Sequence, residues 1–233
     1  MILLDFFGTL VDYAPGRTEQ GVEQSYALVR GSRPDLTYEA YRTGWEAHFA
    51  RFDADAARTG REFSMHQVAG SFLGPDPDVD VDLFVDTYLS EWNRGVHYPD
   101  GIVDLVAGLA SSHRLAVVTN THHPSLVPDH LDAMGIADAV ELVVTSVEVG
   151  VPKPAAEIYE HALGLLGVEP GSVLFVGDTF GPDYEGPRTV GMAALLIDPM
   201  ATAPVPDGHR LRSIFDLPAR LTAPTSPGPP RHS

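Results

Sequence analysis

The stretch Ile2-Leu3-Leu4-Asp5-Phe6-Phe7-Gly8-Thr9-Leu10 begins with three consecutive apolar residues and then places a carboxylate before a Gly-Thr turn. A short apolar run bounded by turn residues reads as a buried strand. An acid at the carboxyl end of such a strand stands on the rim where open α/β sheets place their chemistry. Asp5 is therefore the candidate nucleophile. Phe7, two residues on, is the oddity of this stretch.

Working outward, Asp12-Tyr13-Ala14-Pro15-Gly16 reads as a linker, and Arg17 to about Trp92 carries helix-like spacing of apolar residues. Val22, Tyr26 and Val29 form one stripe; Tyr41, Trp45 and Phe49 form another; Val68 and Phe72, then Leu83, Phe84, Tyr88 and Leu89, follow. Gly74-Pro75-Asp76-Pro77-Asp78 interrupts them with turn residues. The expectation is an inserted unit of about four helices with its own core over residues 15–95.

From Val96 the pattern alternates. Strands are expected at Leu115–Val118, Val140–Thr145, Val173–Val176 and Ala193–Ile197, with helices between them near Ile102–Leu109, Pro124–Met134, Ala155–Leu166 and Asp183–Val190. Continuous apolar strands alternating with helices predict a parallel sheet covered on both faces, so the class is α/β, with the core formed by residues 1–14 and 96–221. The proline-rich tail, residues 222–233, lacks apolar periodicity and is expected to be disordered.

Composition narrows the partners. The formal net charge is −17, whereas nucleic acids and anionic membranes are bound through basic patches, so neither is expected as a partner. Recognition of a phosphate must then be local, and a bound cation could supply it. There are no cysteines, which excludes thiolate nucleophiles and disulfides. The sequence shows no basic leader and no long apolar segment, so the cytoplasm is the expected compartment. Lys153 is the sole lysine in a chain that otherwise uses arginine.

Four strand ends carry complementary polar groups: Asp5 at the first, Thr119-Asn120 at the second, Lys153 beyond the third, and Asp178 with Asp183 at the fourth. Parallel strand ends share one rim, so these groups can meet. A carboxylate can attack, a hydroxyl and an amide can hold substrate oxygens, and an ammonium can neutralise them. Further carboxylates suit a hard divalent ion such as Mg²⁺. Without a cation, adjacent Asp5 and Asp178 would repel and raise a pKa. Each residue also has a plainer reading: Thr119 as a strand-end residue, Asn120 as a turn former, Asp183 as a helix cap.

Asp5-Phe6-Phe7-Gly8-Thr9, Val117-Val118-Thr119-Asn120, Gly150-Val151-Pro152-Lys153-Pro154 and Gly177-Asp178-Thr179-Phe180-Gly181-Pro182-Asp183 resemble, in order, the four motifs of the haloacid dehalogenase superfamily. The helical insertion falls where that family places a cap, between the first and second motifs. The resemblance implies a Rossmann-like core, with Asp5 forming a covalent intermediate and Thr119 and Lys153 binding the transferring group. Thr9 and Asn120 are the further candidate substrate contacts. It also implies Mg²⁺ held by Asp5, Asp178, the Phe7 main-chain carbonyl and Asp183.

Phe7 departs from the phosphatase pattern. Phosphatases of this superfamily carry a second aspartate there, which protonates the leaving oxygen and then activates water. Its dehalogenases carry an aromatic residue, since halide leaves without a proton. Gly177-Asp178 with Asp183 resembles the phosphatase motif instead. The expectation is thus a Mg²⁺-dependent phosphatase acting on a small phosphorylated metabolite. Hydrolysis at carbon of a 2-haloacid and a catalytically weak binding relative are the alternatives. His122-His123 follow the second motif and are either proton donors standing in for the missing acid or a capping pair before Pro124. Whether Tyr13 and Arg17, near the hinge, face a cleft is not decided by the sequence, while Tyr41, Trp45 and Phe49 read as core. Oligomeric state is not legible.

Overall fold

A computed structural model describes residues 1–74 and 78–222. β1 (Ile2–Leu4) lies between β4 (Leu115–Thr119) and β6 (Leu174–Gly177); β5 (Leu142–Thr145) lies outside β4, and β7 (Ala193–Ile197) and β8 (Arg210–Leu211) lie outside β6. All five pairings are parallel, giving the order β5-β4-β1-β6-β7-β8. The chain runs from β1 to β4 and β5 on one side, then crosses to β6 and β7 on the other. The reversal falls beside β1, which is where open sheets leave a crevice for ligands.

Burial on both faces explains the unbroken apolar strands. Ile2 and Leu4 join one core with Val117 and Val176, while Leu3 joins the opposite core with Ala116, Val118 and Phe175. This two-residue alternation is that of a strand covered on both sides. α5 (Ile102–Ala110), α6 (Leu126–Met134) and α10 (Leu217–Thr222) supply Val106, Leu131 and Leu217 to the first core. α8 (Ala156–Leu166) supplies Ile158, Tyr159 and Leu163 to the second. The expected α/β class is what the structure shows.

Among the described residues the insertion holds four helices: α1 (Glu23–Ser32), α2 (Tyr38–Thr59), α3 (Met65–Leu73) and α4 (Val81–Trp92). Their separate core centres on Trp45, which meets Phe49, Phe72, Phe84 and Tyr88 edge-on at 4.8–5.3 Å. Aromatic pairs at such distances and angles favour the ring quadrupoles.

Several expectations shift. The linker Asp12–Gly16 contains β2 (Asp12–Tyr13), paired antiparallel with β3 (Val96–His97), so the two chain crossings into the helical unit are hydrogen-bonded side by side. The helix expected from Asp183 begins earlier, as a π-helical turn at Phe180–Glu185 that continues into α9 (Gly186–Thr189). A short α7 (Ser146–Val149) follows β5. Thr222 closes α10, while the rest of the tail expected to be disordered, residues 223–233, and Pro75–Pro77 of the expected turn lie outside the described residues.

Candidate active site

Asp5 follows β1 directly, and its N–H donates to the Val176 carbonyl at 2.9 Å, which fixes the residue between β4 and β6. Its side chain is 9% exposed. Lys153 Nζ donates to Asp5 Oδ1 and to Asp183 Oδ1, both at 2.7 Å. The lysine carries its stem in from the loop after α7, and the ammonium lies over the Phe175 ring. Burial alone would push that ammonium down, but the charges of Asp5 and Asp183 outweigh it, so Lys153 is held above its ordinary range.

Asp183 sits in the π-helical turn, with its Oδ2 accepting from the Thr179 N–H at 2.9 Å. Gly177 lets it approach, since a Cβ there would run into the Asp183 carboxyl group. Burial first, and then the Asp5 charge, push the Asp183 carboxyl up to about 6 against the pull of Lys153. Asp178 is raised for the same two reasons in the same order. Gly8 has φ +82, and a Cβ on it would collide with Asp178 Oδ2. The turn after Asp5 thus needs glycine twice over, for conformation and for space.

The structure brings the predicted acids together. Asp5, Asp178 and Asp183 each present a carboxylate oxygen within 4.8 Å of the others. One ammonium faces three carboxylates, so negative charge is left over in a buried place, and the donors are hard oxygens only. Both features fit a divalent cation such as Mg²⁺. The Phe7 carbonyl accepts no hydrogen bond among the described residues.

Thr9 and Asn120, the expected substrate contacts, each also hold a protein partner. The Thr9 hydroxyl donates to Asp5 Oδ2 at 3.3 Å. Asn120 Nδ2 donates to the Lys153 carbonyl at 3.0 Å, and its Oδ1 accepts from the Lys153 N–H at 2.8 Å. A side-chain amide that closes both bonds to one main-chain unit works as a clamp, here on the residue that carries the ammonium. Thr119 is buried at the end of β4, and its hydroxyl has no hydrogen-bond partner among the described residues.

The Phe7 ring makes aromatic contacts with Tyr13 and Trp92, each at 5.5 Å between centroids. It belongs to the edge of both the sheet core and the helical core. A cavity of about 270 Å³ opens on it, between the helical unit and the sheet, and Tyr13, Arg17, Trp92, Asn120 and His122 also line it. Tyr13 and Arg17 therefore do face the cleft. Tyr13 has its phenol raised by burial and by the charges of Asp178 and Asp5. Tyr41 and Trp45 are core as expected, whereas Phe49, though 1% exposed, also contributes to the cavity wall.

One partner escaped the sequence reading. Glu62, just before α3, meets His122 across the junction of the two units, and nothing in the local pattern around either residue announces the other.

Residues 1–191 match the model of the haloacid dehalogenase-like hydrolase family, and the chain belongs to that family. It is 36% identical over 110 residues to haloacid dehalogenase-like hydrolase domain-containing protein 3 of Bos taurus, a match covering 45% of this chain and 43% of that relative. The chain thus spans less than half the length of the first such relatives. It is 30% identical over 223 residues to a phosphoserine phosphatase of Thermus thermophilus, covering 85% of this chain and 88% of the relative. Among solved structures, a phosphatase of the family from Thermococcus onnurineus superposes with a TM-score of 0.68 at 21% identity, covering 95% and 97% of the two chains. A 2-haloacid dehalogenase from Pseudomonas syringae superposes with 0.66 at 21% identity, covering 94% and 96%. These two likenesses speak to the fold, which phosphatases and dehalogenases share.

Proposed function

We propose that the protein is a Mg²⁺-dependent phosphatase for a small phosphorylated metabolite, with α1–α4 as the cap over its active site. The observation that carries this is the cluster of Asp5, Asp178 and Asp183. Displacement of halide at carbon calls for no cation, whereas phosphoryl transfer uses one, and three converged carboxylates facing one ammonium favour binding it. The relative named as a phosphoserine phosphatase supports the same choice.

In this reading Asp5 attacks phosphorus in line with the leaving oxygen. Lys153 is the fixed positive charge for the phosphoryl oxygens, and Thr119 offers them a free hydroxyl. Thr9 and the Asn120 clamp hold Asp5 and Lys153 in register, so that little reorganisation remains when charge develops. Mg²⁺, held by Asp5, Asp178, Asp183 and the Phe7 carbonyl, would neutralise the phosphoryl oxygens and keep the acids ionised. Water then hydrolyses the aspartyl-phosphate and frees Asp5. Phe7 offers no proton to the leaving group, so turnover falls as that group becomes less acidic.

A panel of aryl and alkyl phosphates and 2-haloacids, each assayed with Mg²⁺ and with chelator, tests this in wild type and Phe7→Asp. The expected outcome is chelator-sensitive phosphate release, fastest on aryl esters, and a gain of about 10²-fold on alkyl esters in Phe7→Asp. Halide release that persists in chelator would instead establish chemistry at carbon, the reading that the aromatic side chain of Phe7 favours.

A further inference from the structure

We propose that His122, oriented by Glu62, supplies the proton that Phe7 cannot. The pair spans the junction between the helical unit and the sheet. His122 Nδ1 lies 3.2 Å from Glu62 Oε1 and 3.3 Å from the Phe63 carbonyl oxygen. Both neighbours are acceptors, so Nδ1 carries the hydrogen. Nε2 is then either a free lone pair in the neutral ring or an N–H in the imidazolium, which is what a group alternating between base and acid requires. Nε2 has no protein partner among the described residues, and the ring lines the cavity shared with Phe7 and Asn120. The imidazole and Phe7, two residues along from Asp5, thus wall one small space, and a leaving group that extends from Asp5 past Phe7 would enter it.

The ring is held rather than loose. It stacks on Phe63 with centroids 4.1 Å apart and planes 15° apart, and Phe49 lies 5.9 Å away. The main chain seals the joint on either side: the Glu62 N–H donates to the Gly150 carbonyl at 2.9 Å and the Met65 N–H to the His122 carbonyl at 2.7 Å. The Glu62 side chain is 4% exposed. Its burial pushes the carboxyl up, but hydrogen bonds led by that of His122 outweigh this and hold it below the ordinary carboxylate range.

The other titratable groups on the cavity are worse placed to act. His123 is pushed down by burial and by neighbouring His66, which keeps it neutral. Arg17 is paired with Asp53 at 2.6 Å and lies over the Phe49 ring. Tyr13 is raised and holds its proton more tightly.

The step rests on the phosphatase reading. As an Asp5 oxygen forms its bond to phosphorus, the bond from phosphorus to the leaving oxygen breaks and its electron pair goes to that oxygen. The oxygen takes the Nε2 proton. The neutral Nε2 then takes a proton from water, whose oxygen attacks the aspartyl-phosphate. Asp5 leaves as a carboxylate with phosphate as product, and the imidazolium is restored.

The test is kcat across phosphate monoesters whose leaving groups range from acidic phenols to alkanols. It is measured for wild type, His122→Gln, Glu62→Gln, Phe7→Asp and the double variant Phe7→Asp/His122→Gln, with thermal unfolding to check folding. His122→Gln is expected to slow every ester but to lower the alkyl-to-aryl rate ratio tenfold or more. Glu62→Gln should move that ratio the same way by less. In the Phe7→Asp background, His122→Gln should cost little, since the aspartate has taken over the proton. An unchanged ratio in His122→Gln and Glu62→Gln, or an undiminished His122→Gln loss in the Phe7→Asp background, overturns the proposal and leaves the phosphatase reading standing. A wild type that releases no phosphate from any ester removes both.

Discussion

At Gly8 the backbone has φ +82, and the Asp178 carboxylate fills the space where a Cβ would stand. Gly60 has a similar φ of +68 with open space around it, so it measures the conformational cost alone. Gly60→Ala is expected to cost about 1 kcal/mol. Gly8→Ala should cost more, about 1–3 kcal/mol, and should abolish turnover by displacing Asp178. Denaturant unfolding of both variants beside an activity assay checks this, and equal costs with activity kept would mean that Asp178 can move without loss. At this scale the sequence disclosed side-chain types better than roles. Asp5, Lys153, Asp178 and Asp183 could be picked out because charge at the end of an apolar strand is costly unless used. The sequence does not disclose the protein partners of Thr9 and Asn120, because a hydroxyl or an amide looks the same there whether or not it holds, as here, Asp5 and the Lys153 main chain.

Among the elements, the central strands were legible as unbroken apolar runs and the helices of the insertion because each runs long enough to show its period. The β2–β3 pair was not, because two residues per strand carry no period and the partners lie far apart in sequence. The segment before α3 was opaque for a related reason. Ser64 and Gln67 form a capping box that a sequence can suggest, but Glu62 beside them finds His122 only after the helical unit folds down on the sheet. That contact gives a pH signature. Glu62 has its folded pKa below its ordinary value of 4.5, so the ionised form is favoured by folding. The resulting stabilisation is complete above the unfolded pKa and is lost as pH falls through the folded one. The melting-temperature gap between wild type and Glu62→Gln is expected to be widest at pH ~6–7 and to close towards pH ~3. A gap that does not vary with pH would mean that the carboxylate charge contributes nothing to the joint.

For the whole molecule, the acidic cluster must be weighed against a surface of the same sign. A chain of net charge −17 attracts divalent cations loosely in many places, so simple Mg²⁺ binding would not identify the site. What distinguishes Asp5, Asp178 and Asp183 is that they are converged, at least half-buried and short of positive charge, so an ion there is bound by the folded state and not by the unfolded chain. A ligand at 100 times its Kd stabilises the folded state by about 2.7 kcal/mol, and in a domain of this size each kcal/mol moves Tm by about 2–4 °C. Saturating Mg²⁺ is therefore expected to raise Tm by about 5–10 °C over chelator, and Asp178→Asn should abolish most of that rise. Asp178→Asn also relieves repulsion with Asp5, so its own Tm in chelator should match or exceed that of the wild type. Binding and repulsion thus move the two measurements in opposite directions, which a general loss of folding cannot imitate. A Mg²⁺ shift equal in wild type and variant would place the ion elsewhere on the acidic surface and remove the cluster as its site.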